Sequence, residues 1–372
     1  MNIKFSKVDI RNSDIESVSD ILKSGWLTHG QNTKNFENEF KNYTNSRFAV
    51  TVSSCTAGLH LSCLAMGLKK GHEVIVPAQS HVATAHAVEY TGAKVIFSDV
   101  DPITGNIDFN NFKSKVTEKT KAVILVHMAG FPCDLRYFVN FCKKRKIKII
   151  EDCAHALGTN FNKRHVGNFG ISGSFSFYPT KQITTGEGGM VVTNDKKIFK
   201  KILVLKAFGI DKDIDKRKKP GDYNVKYLGY NFRMTDFQAS LGLNQLRRYK
   251  LNLIKRKKNA FFLHEKLKSI KQIYTMPFSK DCSYFVFQIF CKKRNKLTEH
   301  LKKSGIGFSI HYMRPITAMS YYKNKYKINN IKYFKNALLY GNRCISLPVH
   351  PYLKPKELNY IANSIKSFYI DT

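Results

Sequence analysis

The sequence predicts an α/β fold, with a large, mostly parallel sheet covered by helices on both faces and a smaller C-terminal α+β domain. One indication is that strand-like and helix-like patterns alternate from residue 47 onwards. Another is that several short runs are continuously apolar and β-branched, as in parallel strands that are buried on both faces. A third is length, because 372 residues exceed the usual size of one hydrophobic core.

The first half of the chain supplies most elements of the large sheet. Residues 1–30 form an N-terminal segment with a helix over residues 14–24, which Gly25 closes. A second amphipathic helix is predicted over residues 35–43. The predicted strands that follow cover residues 48–52, 73–76, 94–97, 122–126 and 148–150, and the helices between them cover residues 56–68, 81–91 and 135–145.

The second half completes the sheet and then changes character. Strands are predicted at residues 174–177 and 190–193, helices at residues 199–208, 235–248 and 251–270, and a charged loop at residues 211–222. The remaining elements form the α+β lobe and cover residues 283–291, 296–304, 309–312, 333–340 and 356–369. We place the domain boundary near Arg248, with a large domain over residues 1–248 and a small one over residues 249–372.

The net charge of +35 has two interpretations. A strongly basic protein can bind nucleic acid or another polyanion. Here the lysines are spread along the chain, and the dense runs at residues 212–219 and 255–258 are not interleaved with aromatic residues. We therefore favour lysine-rich solvated faces and expect no nucleic-acid partner.

Cysteine usage and hydropathy indicate a cytoplasmic protein. The eight cysteines are scattered, none forms a Cys-x-x-Cys pair, and several lie in apolar runs, which predicts buried free thiols and no metal site. No apolar run is long enough to span a bilayer, and the N-terminus has no signal-peptide core, so we expect no membrane partner.

Residues 174–189 are the chemically most informative stretch, with the sequence Ser-Phe-Ser-Phe-Tyr-Pro-Thr-Lys-Gln-Ile-Thr-Thr-Gly-Glu-Gly-Gly. Alternating small and large residues predict a strand with one buried face, which Pro179 ends. Lys181 then lies on a constrained turn, and the glycines after it allow unusual backbone conformations. A lysine held between two strand ends is suited to be an amine nucleophile.

Asp152 follows a buried strand, so its carboxylate is expected at the rim of the sheet, where ligands of α/β sheets bind. It could pair with a cationic ring nitrogen or cap the next turn, and this residue alone does not decide between the two. Lys181 lies on a neighbouring strand end, so Asp152 and Lys181 together could bind opposite sides of one flat ring. Pyridoxal 5'-phosphate (PLP) needs this pair, a lysine for its aldehyde carbon and a carboxylate for its pyridine nitrogen.

Further candidates surround this pair. Residues 53–56 open a helix directly after a strand, and such helix starts bind phosphate or are simply capped. Ser176 could add a hydroxyl, and His81 could stack on a cofactor or be structural. No glycine-rich dinucleotide motif, phosphate-loop lysine or metal-ligand spacing is present.

These stretches together resemble the DegT–StrS family of PLP-dependent sugar aminotransferases. The matching stretches are residues 25–30, 54–61, 151–158, 174–189 and 229–236, together with His311, Tyr312 and Pro315. The resemblance covers nearly the whole chain. It implies the PLP transferase fold type I, with a large, mostly parallel sheet of the seven-stranded type.

The resemblance also implies a role for each matching residue. Lys181 would be the catalytic lysine that bonds the cofactor, and Asp152 would pair with its ring nitrogen. His155 would lie by the ring hydroxyl, and His81 would stack on the ring. The phosphate would be held by the Thr56 and Ala57 backbone, the Ser176 hydroxyl and Asn231 of a neighbouring subunit, which makes a homodimer with shared active sites the catalytic unit.

The implied reaction moves an amino group from glutamate to a keto-sugar, most specifically a nucleotide-diphosphate 4-keto-6-deoxyhexose, for surface-glycan or lipopolysaccharide synthesis. Two alternatives stay open: a PLP-dependent sugar dehydrase of the same family, whose members carry histidine in place of the lysine, and a non-catalytic nucleic-acid-binding or regulatory protein. Three positions depart from the family pattern. Cys55 replaces a usual glycine, and Tyr178 and Thr317 stand where many relatives have histidine.

Overall fold

The computed structural model describes residues 1–212 and 219–370 and confirms the predicted fold class. A seven-stranded sheet has the order β1-β9-β8-β5-β4-β2-β3. Neighbouring strands β3, β2, β4, β5 and β8 run parallel, whereas β9 runs antiparallel to both β8 and β1. The strands of this sheet are β1 (Phe48–Val52), β2 (Glu73–Pro77), β3 (Lys94–Ser98), β4 (Thr120–Val126), β5 (Lys148–Asp152), β8 (Ser172–Ser176) and β9 (Gly189–Thr193).

Helices cover both faces of this sheet, as predicted. Within the large domain they are α1 (Asn12–Ser24), α2 (Gln31–Thr44), α3 (Cys55–Ala65), α4 (Ala83–Glu89), α5 (Phe109–Ser114), α6 (Leu135–Arg145) and α7 (Lys196–Leu205). Alternate strand residues face opposite sides: Val123 packs in the core with α2 and α6, whereas Ile124 packs in the core with α3 and α4. Because the strands are buried on both sides, their sequences are continuously apolar.

The helix α8 (Asp236–Leu267) corrects the prediction of two separate helices over residues 235–248 and 251–270. No glycine or proline lies between Arg248 and Leu251, so nothing interrupts the backbone hydrogen bonding there. The first half of α8 packs in the core of the large sheet, and its second half packs in a separate core of the C-terminal region. The helix therefore crosses the boundary that we predict near Arg248.

The C-terminal region is the predicted α+β lobe. Its three-stranded antiparallel sheet has the order β10-β11-β12, with β10 (Ile273–Thr275), β11 (Phe287–Cys291) and β12 (Cys344–Leu347). Its helices are α9 (Arg294–Lys303), α10 (Ser320–Lys325), α11 (Lys335–Arg343) and α12 (Pro355–Ile370). Residues 309–312, predicted as one of the elements of this lobe, make a single β-bridge between Ser309 and Ser346. A small hairpin of β6 (Asn160–Phe161) and β7 (Arg164–His165) was not predicted.

Other sequence predictions have mixed outcomes. All eight cysteines are free and buried, as predicted. The charged loop over residues 211–222 lies partly outside the described residues, because residues 213–218 are not described. Across the described ranges, no helix combines the length and the apolar character needed to span a membrane.

Candidate active site

A cavity of about 450 Å³ opens at the carboxyl ends of the parallel strands. Val126, Asp152 and Ser176, the last residues of β4, β5 and β8, all line it. Its volume is in the range of small-molecule sites, and its position is the one at which α/β sheets bind ligands. Six predicted site residues line this cavity: Thr56, His81, Asp152, His155, Ser176 and Lys181.

Lys181 lies on a turn that the surrounding structure holds firmly. Its backbone N–H donates to the carbonyl oxygen of Tyr178 at 2.9 Å. The next residue, Gln182, donates from its side-chain amide to the carbonyl oxygen of His155 at 2.7 Å. The Lys181 ammonium lies 4.5 Å from the centre of the Phe285 ring. Burial lowers the pKa of Lys181 to about 8, although the nearby Cys55 and Asp152 act to raise it.

Asp152 is buried and accepts hydrogen bonds from three directions. Its Oδ2 accepts from the Thr84 hydroxyl at 2.8 Å, and its Oδ1 accepts from the backbone N–H of Ala154 at 3.1 Å. The Cys55 thiol lies 3.9 Å from the same Oδ1. The carboxylate is thereby fixed in orientation beside the cavity that Lys181 also lines.

The start of α3 forms another wall of the cavity. The Ser54 side chain caps this helix by accepting from the backbone N–H of Ala57 at 3.1 Å. The first N–H groups of a helix have no partner within it and can bind an anion. Gly189 keeps the sheet close to this helix start, because a Cβ on Gly189 would lie 2.5 Å from the carbonyl carbon of Ser54. Ser176 lies nearby, and its Oγ accepts from the Tyr178 N–H at 3.4 Å, which leaves its own proton free to donate.

Two predicted phosphate contacts are not brought into this cavity. Ala57 lines a neighbouring open groove of about 510 Å³, and its N–H already donates to Ser54. Asn231 is exposed, and its Oδ1 accepts from the Arg233 guanidinium at 3.0 Å. The capping bond to Ser54 takes up the Ala57 backbone N–H, which is the donor that the prediction assigned to phosphate.

His155 is buried, and its hydrogen bonds define which nitrogen carries the proton. Its Nδ1 accepts from the backbone N–H of Ala129 at 3.3 Å, so the proton of the neutral ring lies on Nε2. Nε2 faces the Tyr312 hydroxyl at 3.2 Å, and the ring stacks on Phe285 at 4.4 Å. Burial, reinforced by the Lys181 charge, holds the pKa of His155 well below its usual value.

His81 lies in the turn before α4, so the helix predicted from residue 81 begins two residues later, at Ala83. It is exposed, and its Nδ1 accepts from the Ala83 N–H at 3.2 Å. Its ring meets Tyr312 edge-on at 5.7 Å. The imidazole is thus held at the mouth of the cavity, where a flat ligand could contact it.

A buried group of His127, Glu151 and Cys153 lies close enough together to resemble a metal site. Glu151, however, already accepts from His127 at 3.1 Å. Its carboxylate also accepts from the backbone N–H groups of Gly167, Phe169 and Gly170. These bonds occupy the lone pairs of the carboxylate, so we interpret the group as a structural hydrogen-bonded cluster.

Comparison with known proteins identifies the family. Residues 8–366 match the profile of the DegT/DnrJ/EryC1/StrS aminotransferase family. The chain belongs to this family. The family is PLP-dependent, so this aminotransferase uses PLP as its cofactor, and the predicted resemblance is confirmed.

Relatives of known description agree with this assignment. GDP-perosamine synthase of Escherichia coli O157:H7 is 37% identical over 363 residues, which are 96% of this chain and 95% of that protein. The spore coat polysaccharide biosynthesis protein SpsC of Bacillus subtilis is 34% identical over 370 residues, 96% of this chain and 94% of that protein.

Solved structures show the same fold. Helicobacter pylori PseC, an aminotransferase involved in the biosynthesis of pseudoaminic acid, superposes with a TM-score of 0.92 at 27% identity, over 100% of both chains. A Streptococcus pneumoniae protein described as a sugar aminotransferase, solved in its PLP form, has a TM-score of 0.91 at 28% identity, over 100% of this chain and 99% of that one.

The residues of this aminotransferase fit PLP. The cavity offers an amine of lowered pKa on Lys181, a fixed carboxylate on Asp152, and a hydroxyl and a helix start for phosphate. Two residues that the sequence analysis did not select also belong to the site: Thr84, which bonds Asp152, and Phe285, which lies under Lys181 and His155. Neither lies in one of the matching motifs.

Proposed function

We propose that this aminotransferase moves the amino group of glutamate to the keto carbon of a nucleotide-linked sugar. The most specific form of the proposal is a nucleotide-diphosphate 4-keto-6-deoxyhexose that serves surface-glycan or lipopolysaccharide synthesis. The observation that carries it is Lys181, an amine of lowered pKa in the same cavity as the fixed carboxylate of Asp152. The relatives that are named as GDP-perosamine synthase and as PseC support the sugar part of the proposal.

The chain's own residues would divide the work as follows. PLP, when bound, supplies an electrophilic carbon and a ring that accepts electrons. Lys181 Nζ would hold the cofactor at its aldehyde carbon and would move a proton between the substrate carbon and that cofactor carbon. Asp152 would hold the ring nitrogen, and His155, whose Nε2 lies 3.2 Å from the Tyr312 hydroxyl, would lie by the ring hydroxyl. Thr56, Ala57 and Ser176 would hold the phosphate, where Ala57 contributes to the helix start rather than through a free N–H.

Two features favour transamination over the alternatives. A lysine, not a histidine, occupies position 181 and lines the cavity, which is the reverse of the dehydrase pattern. The non-catalytic alternative gives no reason for a cavity that places this lysine beside a buried carboxylate.

The homodimer with shared active sites is part of the proposal. Asn231 is exposed outside the cavity of its own chain, as expected for a residue that reaches a neighbouring subunit. The open groove next to the cavity shares Ser54 and Thr56 with it and is also lined by aromatic residues such as Tyr90 and Tyr230. A cytoplasmic location is likewise proposed, because eight free thiols suit a reducing compartment.

The test of the function is amino transfer from glutamate across a panel of nucleotide-linked keto-sugars. We expect stoichiometric formation of 2-oxoglutarate and one amino sugar, measured by mass spectrometry. The control is Lys181→Ala, which should abolish turnover with every sugar of the panel. Amino transfer that persists in Lys181→Ala, or a dehydrated sugar product that gains no nitrogen, would contradict the proposal.

A further inference from the structure

We infer that Thr84 is a positioning residue for Asp152 and thereby sets how tightly this aminotransferase binds PLP. The inference rests on the proposed function, in which Asp152 pairs with the ring nitrogen. The observation behind it is the 2.8 Å bond between Thr84 Oγ1 and Asp152 Oδ2. Thr84 has no exposed surface, and Asp152 is 4% exposed.

The direction of this hydrogen bond follows from the chemistry of the groups. An ionised carboxylate only accepts, so the Thr84 hydroxyl is the donor. Thr84 then has no proton left, so in its 2.8 Å contact with Ser80 the Ser80 hydroxyl must donate. Ser80 is also buried. The result is a directed chain of two hydroxyls that ends on Asp152 Oδ2.

The two oxygens of Asp152 are held differently. Oδ1 accepts a backbone N–H, from Ala154, and lies near a weakly donating thiol, from Cys55. Oδ2 is held by the Thr84 side chain. A substitution can therefore remove the restraint on Oδ2 and leave the restraint on Oδ1 in place.

Thr84 also connects Asp152 to a second ring contact. Its backbone N–H donates to the carbonyl oxygen of His81 at 3.2 Å, and His81 lines the same cavity. Thr84, near the start of α4, thus bonds both to His81, which is proposed to stack on the ring, and to Asp152, which is proposed to pair with the ring nitrogen. Thr84 itself does not line the cavity, so it acts through Asp152 rather than on the substrate.

The experiment compares PLP affinity in Thr84→Val, which keeps the side-chain shape but loses the hydroxyl, and Thr84→Ser, which keeps the hydroxyl. A hydrogen bond to a charged group is strong, so we expect Thr84→Val to weaken PLP binding about tenfold or more. PLP binding is measured by absorbance titration of the cofactor-free protein. We also expect kcat to fall by a similar factor while KM for glutamate stays within about twofold. In Thr84→Ser, the PLP affinity and kcat should both be close to those of the wild type.

The matched control is Thr44→Val, which removes a buried hydroxyl that bonds the Phe40 carbonyl oxygen in α2, away from the cavity. It should lower the melting temperature of the cofactor-free protein and leave PLP affinity unchanged. Should Thr84→Val fail to fold, Ser80→Ala tests the same chain of hydroxyls, and a folded Ser80→Ala protein should bind PLP more weakly.

The outcomes separate this inference from the proposed function. If the wild type binds PLP and a folded Thr84→Val or Ser80→Ala protein binds it equally well, the inference is overturned and the function stands. If Thr84→Ser binds PLP as weakly as Thr84→Val, the inference is also overturned, because a role in packing alone would then explain the loss of affinity. A wild type that takes up no PLP would overturn both.

Discussion

Lys181 has the two properties that a covalent catalyst needs, access to a cavity and an amine that loses its proton near neutral pH. A free lysine has a pKa of about 10.4, and burial lowers the pKa of Lys181 to about 8. The negative charge of Asp152 opposes this shift without cancelling it. The amine is therefore partly neutral, and hence nucleophilic, under physiological conditions.

This property predicts how the cofactor-free protein takes up PLP at different pH values. The rate constant for covalent uptake should rise with pH, with a midpoint at about 8, because only the neutral amine attacks. Stopped-flow absorbance measures it. In Asp152→Asn the midpoint should move to lower pH, since the charge that raises the pKa of Lys181 is gone. A midpoint near the ordinary lysine value, or no pH dependence, would contradict the account.

Sequence alone was informative about residues in local motifs and silent about contacts made across the fold. Lys181 and Asp152 follow strands whose ends must meet at one edge of the sheet, so their proximity was predictable. Thr84 and Phe285 reach the site through the packing of α4 and of the C-terminal region, and no local pattern reports that. The Ser54 cap on the Ala57 N–H is by contrast a local contact, and the sequence left capping open beside phosphate binding at this helix start.

Among the secondary-structure elements, α8 has a distinctive role, since it contributes to two hydrophobic cores. Leu243 and Leu246 pack in the core of the large domain, whereas Leu263 and Leu267 pack in the C-terminal core. Leu251, between these pairs, is 66% exposed. The helix is therefore a continuous connection between the two cores, and Leu251 lies on its exposed side.

A proline at position 251 tests this connection. Leu251→Pro should destabilise the protein by about 3 kcal/mol or more, because proline removes a helical hydrogen bond and clashes with the preceding turn. Leu251→Ala is the matched control and should change stability by less than about 0.5 kcal/mol, because the side chain is exposed. Thermal or urea unfolding measures both. Equal stability of the two variants would contradict a continuous helix.

The strands of the sheet were the most predictable elements and the boundaries of α8 among the least. The run Phe48–Val52 was predicted with the bounds that the structure shows, because buried β-branched runs between turns have few other interpretations. Two separate helices, by contrast, would need an interruption between them, such as a glycine or a proline. Residues 248–251 contain neither.

At the scale of the whole molecule, the cavity is built by both predicted domains. Asp152 and Lys181 come from the large domain, and His311 and Tyr312 come from the C-terminal region. Asn231, in contrast, is exposed outside the cavity. This arrangement fits an active site that a second copy of the chain completes.

Mixing two inactive variants tests the shared site. Lys181→Ala lacks the proposed catalytic amine, and Asn231→Ala lacks the proposed phosphate contact from the other subunit. In a symmetric dimer, subunit exchange between them should restore one intact site in each mixed dimer, or about a quarter of wild-type activity for equal amounts. As the control, each variant is put through the same subunit-exchange procedure on its own. Mixtures no more active than the separate variants, with exchange verified, would contradict shared sites.

The most direct measurement of the central claim is the mass spectrum of peptides from PLP-loaded protein that has been reduced with borohydride. The account predicts loss of the yellow absorbance and a single cofactor-modified peptide, with the modification on Lys181. A reduced protein without a modified peptide, or with the cofactor on another lysine while Lys181 stays free, would contradict it.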